Sequence, residues 1–149
     1  MKKLNRKGFT LIELLAVVVI LAIVLVVTIP TVLNSMNSAK QSQLNNAANT
    51  VAEWLQKQRE LDELGSAVGG AASTAYTGIK SSLNTATSTN RYTLTDALLK
   101  AAGFTGGTAD ATGTAYYNST SYSYCVTLTP ANGTDAKFKG LAASSSNGC

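Results

Sequence analysis

The sequence predicts an α+β protein, a long N-terminal α-helix packed on a small antiparallel β-sheet head. Three observations carry this. Residues 14–27 are apolar without a break, directly behind a basic stub. Apolar residues then recur at three- and four-residue steps through Val32, Leu33, Met36, Leu44, Ala47, Ala48, Val51, Leu55 and Leu61, which is one face of an amphipathic helix. Residues 121–129 alternate, with Tyr122, Tyr124, Val126 and Leu128 on one face and Ser123, Cys125, Thr127 and Thr129 on the other, which is the period of a strand.

The chain divides into a leader at residues 1–8, an apolar helix at 9–29, an amphipathic half at 30–64 and a head at 65–149. As a helix, residues 9–29 reach roughly 32 Å, enough to cross a bilayer core. Retention of Lys2, Lys3, Arg6 and Lys7 on the cytoplasmic side would place the head outside. These four belong to the twelve basic residues; the eight that remain balance the eight acidic ones. The folded part therefore lacks the basic excess a nucleic-acid binder needs.

An ordinary secretory signal would show a small-x-small cleavage site after the apolar stretch. None stands out, since Ala39 has Asn37 at the minus-three position. Glu13 is the one charge inside the segment, and an acidic residue at a membrane helix centre costs about 3 kcal/mol, less near an end. Glu13 is either tolerated at the interface or awaits a positive partner in an apolar assembly.

Pro30 lacks the N–H that a straight helix uses, so a kink is expected there, with one helix spanning about 9–64. Gly65 is the expected stop, Glu53 and Lys57 form an i,i+4 pair, and Asp62-Glu63 reads as a solvated end.

Residues 66–90 read as a loop, with a helical turn at 79–86. Thr95 is placed to cap a helix over 96–102, stopped by Gly103. Residues 106–113 read as another loop because of Gly106, Gly107 and Gly113. After the strand at 121–129, Pro130 and the Asn132-Gly133 turn lead to a return strand at 136–143 through Phe138 and Leu141; residues 115–117 add a third. Tyr116, Tyr117, Tyr122 and Tyr124 read as strand core and edge, with stacking on a sugar or base as the other reading.

The two cysteines, Cys125 and Cys149, fit one disulfide formed outside the cytoplasm. Two free buried thiols are the alternative, but Cys149 follows a polar Ser-Ser-Ser-Asn-Gly stretch, where a free thiol would be exposed and reactive. Closing a loop of about 25 residues stabilises a domain by roughly 3 kcal/mol.

Catalytic chemistry has little to stand on. The chain has no histidine, the commonest acid–base and metal-binding residue. The eight carboxylates are scattered, and no phosphate-binding loop is present. No catalytic residue, metal site or cofactor is expected.

The stretch Lys7-Gly8-Phe9-Thr10-Leu11-Ile12-Glu13-Leu14, with the basic stub and apolar run around it, resembles the class III signal sequence of type IV pilins and pseudopilins. The resemblance covers about 30 residues, and beyond them only the layout agrees. It implies cleavage between Gly8 and Phe9 by a membrane prepilin peptidase, which then N-methylates Phe9. It implies that Glu13 neutralises the N-terminus of a neighbouring subunit, and that Pro30 falls where family helices bend. The implied partners are copies of the chain in a helical filament joined through the N-terminal helices, membrane lipid before assembly, a membrane platform protein and a cytoplasmic assembly ATPase. The expected function is a pilus subunit for adhesion, motility or DNA uptake, first a single-pass membrane precursor and then part of a surface filament. A type II secretion pseudopilin and a monomeric membrane-anchored adhesin are the alternatives.

Overall fold

The computed structural model describes residues 9–68, 71–131, 137, 138, 140–146 and 149. The basic stub, Gly8, the Asn132-Gly133 turn and Ala136 lie outside the described residues. The chain forms two compact units, Met1–Ser38 and Ala39–Cys149.

The dominant element is α1, Leu11–Val68, which crosses from one unit into the other. Its start is set by Thr10 and Glu13. The Glu13 N–H donates to Thr10 Oγ1 at 3.3 Å, and the Thr10 N–H donates to Glu13 Oε2 at 2.9 Å. This reciprocal pair is a capping box. The helix runs on through Pro30. Around that residue, Thr28 Oγ1 donates to the Val24 carbonyl at 3.0 Å and Thr31 Oγ1 to the Thr28 carbonyl at 2.7 Å.

The stop expected at Gly65 is not used, and α1 continues to Val68. A glycine inside a helix costs only about 1 kcal/mol, and the last turns are held by side chains. Arg59 Nε bonds Glu63 Oε1 at 2.8 Å, and Lys80 pairs with Asp62. The expected solvated end is thus an anchored one, because Asp62 has a cation to meet from the next segment.

In the second unit the core forms around the α1 residues Leu44, Ala48, Val51 and Leu55, all fully buried. They pack in one cluster with Tyr124, Val126 and Leu128 of the sheet, Leu98 and Leu99, Tyr76, Leu83 and Phe138. Trp54 lies partly buried against it. Their spacing of three and four residues, about one helical turn, is what puts these α1 residues on one side.

The segment expected as a loop with a helical turn at 79–86 carries an additional short helix, α2, Thr74–Thr77, and then the expected turn as α3, Lys80–Thr85. Ser73 caps α2, and its own N–H donates to Gln58 Oε1 at 2.6 Å. Helix formation there buries Tyr76 and Leu83, and that burial outweighs the weak helix preference of Ser and Thr.

Strand β1, Tyr92–Leu94, was not anticipated; it leads into α4, Asp96–Ala101, capped by Thr95. Gly103 has φ +93°. The Phe104 N–H reaches the Leu99 carbonyl at 2.9 Å and the Gly103 N–H reaches that of Lys100 at 3.0 Å, the pattern of a glycine-terminated helix end.

The loop expected at 106–113 is instead a helical turn, α5, Gly107–Asp110, followed by strand β2, Ala111–Asn118. Asp96 Oδ1 accepts from the Thr108 N–H at 2.9 Å and binds α5 to α4. Gly113 is a strand residue. It is paired with Leu94 on one side and Leu128 on the other. A Cβ at Gly113 would meet Leu128 Cδ2 at 2.8 Å and Leu94 Cδ1 at 2.9 Å. The glycine marks a close approach rather than a loop.

Strand β3, Ser123–Pro130, pairs antiparallel with β2 from Ala111↔Pro130 to Asn118↔Ser123. Tyr124, Val126 and Leu128 face the core, whereas Tyr122 sits exposed in the hairpin turn at φ 53°. The return strand is shorter than expected. Lys137 and Phe138 lie in a turn, and among the described residues pairing is confined to β4, Ala143–Ser144, opposite Leu128 and Thr127. Phe138 reaches the core from that turn and is fully buried. The result is a four-stranded antiparallel sheet in the order β1-β2-β3-β4. The fold class read from the sequence is the one observed.

The tail is tied down by polar groups. The Ser145 N–H donates to the Val126 carbonyl at 2.8 Å, Gln41 Nε2 to the Ala142 carbonyl at 2.8 Å, and the Ser146 N–H to Asn49 Oδ1 at 2.7 Å. Cys125 and Cys149 are joined by a disulfide with a Cα–Cα distance of 4.8 Å. Cys125 is on the strand face opposite Tyr124 and Val126, yet it is fully buried.

Candidate functional site

The candidate site is the N-terminal segment that the sequence singles out. From Phe9 to the end of the apolar run, every described side chain is exposed, Phe9 and Leu11 at 86% each. An apolar surface of this extent on a helix needs a nonaqueous partner. The helix is long and apolar enough to cross a membrane.

Into this surface the fold places one carboxylate. Glu13 Oε2 accepts from both the Thr10 N–H and the Thr10 hydroxyl, at 2.9 Å each. Both bonds fall on the same oxygen, and Oε1 makes no hydrogen bond among the described residues. A carboxylate can accept about four hydrogen bonds. Capacity therefore remains for a further donor. The Thr-x-x-Glu spacing that builds this cap is legible in Thr10-Leu11-Ile12-Glu13.

Of the other residues singled out, Gly8 lies outside the described residues. Phe9 stands just before the helix, and Pro30 lies within it. Cys125 and Cys149 belong to the unit Ala39–Cys149. Among the described residues, no group of three or more His, Cys, Asp and Glu is placed to hold a metal ion.

A protein-family model described as the prokaryotic N-terminal methylation motif matches residues 3–29. No curated protein and no solved structure matches the chain significantly. The match takes in the basic stub, Gly8, Phe9, Glu13 and the apolar run as one unit, and it implies processing by a prepilin peptidase. Over this N-terminal segment the chain is similar to prokaryotic methylated prepilins, and its long helix and small antiparallel sheet are consistent with a type IV pilin-like prepilin.

Proposed function

We propose that the chain is the structural subunit of a type IV pilus, cut between Gly8 and Phe9, N-methylated on Phe9 and assembled through its N-terminal helix into a surface filament. The observation that carries this reading is the exposed apolar helix with the single carboxylate of Glu13 in its first turn. Before assembly the helix is sheltered by lipid. In the filament it is sheltered by the same helices of other copies.

Lipid and a helix-lined core are both apolar, so transfer between them brings no large hydrophobic gain. Helix packing and specific polar contacts must then supply the preference. Cleavage after Gly8 creates a new amine at Phe9, and Glu13 of a neighbouring copy is the carboxylate that meets it. A buried charge without a partner is strongly unfavourable, so the pairing sets the axial register of each incoming subunit. Pro30 is a candidate bend that would let the apolar part settle into the core.

The chain carries no phosphate-binding loop, so extension draws on other proteins, an assembly ATPase and a membrane platform. A type II secretion pseudopilin would share the same N-terminal chemistry. The Cys125–Cys149 tail and the Ser- and Thr-rich surface support the exposed pilus.

The test is the intact mass and N-terminal peptide of the protein in sheared surface material from its native host. A chain that begins at methylated Phe9 and is recovered in filaments is expected. A chain that retains Met1 and stays in the membrane would sink the proposal and favour an anchored adhesin.

A further inference from the structure

The sheet leaves a gap beside β2. Strand β1 reaches only as far as Tyr92, opposite Ala115, whereas β2 continues to Asn118 and stays paired with β3 through Asn118↔Ser123. Residues 116–118 thus have a strand neighbour on one side only. On the other side lies a cleft of about 500 Å³, lined among others by Arg59, Asn84, Ser88, Tyr116, Tyr117 and Ser119. That volume falls in the range of small-molecule sites, roughly 300–1,000 Å³.

The lining combines two half-buried tyrosines with uncommitted polar side chains. Among the described residues, the Asn84 amide and the Ser88 and Ser119 hydroxyls make no side-chain hydrogen bond. The cationic groups, in contrast, are engaged. Arg59 bonds Glu63 at 2.8 Å and lies 3.7 Å over the Tyr117 ring. Arg91, outside the lining, donates to the Ser88 carbonyl at 3.2 Å and to Thr127 Oγ1 at 2.7 Å, with its guanidinium 5.1 Å from the Tyr116 ring. No carboxylate lines the cleft.

This balance selects the ligand chemistry. A nucleic acid is held by cations free to meet its phosphates, and Arg59 is already paired. A purely apolar ligand would leave the amide and hydroxyl groups without partners. A neutral polyhydroxylated ring satisfies both halves, because its C–H face packs on an aromatic side chain and its hydroxyls both donate and accept.

We propose that the cleft between α3 and the unpaired edge of β2 binds a neutral carbohydrate, packed against Tyr116 and hydrogen-bonded by Asn84, Ser88 and Ser119. Its position is set by the shortness of β1, which leaves the Tyr116 edge uncovered. The site belongs to the head alone and does not depend on how the N-terminal helix is used.

The experiment is saturation-transfer NMR on the full chain in lauryldimethylamine oxide micelles, whose headgroup is not a sugar. The probes are galactose, N-acetylglucosamine, N-acetylgalactosamine and lactose, with oligothymidine as the anionic comparison. Transfer to at least one sugar is expected. Binding should weaken about ten-fold in Asn84→Ala/Ser88→Ala, as expected for two lost hydrogen bonds. Both residues are exposed, so the variant should melt like the parent. Absence of transfer to all four sugars would overturn the proposal. So would transfer that the double variant leaves unchanged, or oligothymidine binding that the double variant weakens while the sugars stay silent.

Discussion

Thr10 and Glu13 close the first turn of the long helix on each other, with two donors of Thr10 on one oxygen of Glu13. The carboxylate that the proposed filament needs is therefore already oriented by its own chain. A carboxylate at this end of a helix is also favoured by the helix dipole. In the proposed filament, the second oxygen of Glu13 is the one left to meet a neighbouring N-terminal amine.

Glu13→Ala is expected to abolish surface filaments while the leader is still removed. The readout is the amount of sheared filament alongside the mass of the membrane-bound protein. Normal filament yield would remove Glu13 from the assembly step. Loss of cleavage would place it in peptidase recognition instead.

The disulfide should contribute to head stability. It closes a loop with a sequence separation of 24 over a small core, which corresponds to about 3 kcal/mol in the chain-entropy account. Reduction is expected to lower the melting temperature by roughly 10–20 °C for a domain of this size. Calorimetry with and without reductant checks this, and an unchanged transition would mean the tail is held by its hydrogen bonds alone.

Gly113→Ala should destabilise the head by about 1–3 kcal/mol, the usual cost of overpacking. The added methyl would press on Leu94 and Leu128, which close over the glycine from the two neighbouring strands. Denaturant melts measure it. A neutral result would show that the two leucines can move aside.

Asp96 provides a pH test. Its hydrogen bonds from Lys100 and the Thr108 N–H hold its carboxyl below the ordinary value of 3.8. A depressed folded value means the contribution is present above that ordinary value and is lost as pH falls through the folded one. Asp96→Asn should melt lower than the parent at pH 7, and the gap should close as the pH is taken below the ordinary carboxyl value and through the lowered folded one. A gap that persists there would mean the residue acts through its shape and not its charge.

The N-terminal segment was legible because its signals are local. A basic stub, Gly8-Phe9, the position of Glu13 and the apolar run follow one another within about 30 residues, and a membrane or filament core imposes strong compositional demands. The same holds for the helix face through Leu44, Val51 and Leu55, and for the alternation in β3 that turns Tyr124, Val126 and Leu128 to the core.

What only the tertiary structure decided lies where residues serve distant partners. Gly113 looked like a loop because its reason, two leucines from other strands, is absent from its neighbourhood in sequence. Gly65 did not stop α1, which runs on to Val68, and the Asp62–Lys80 pair beside it joins residues 18 apart in sequence. Among the described residues the return strand is Ala143–Ser144, and Phe138, expected within it, enters the core from a turn. By itself the sequence determined the helix, the sheet's central strand and the processing motif, each encoded in adjacent residues. Strand lengths, the Tyr116 cleft and the tail's anchorage were decided by packing, because a pairing edge ends where its partner does and not where its own propensity fails.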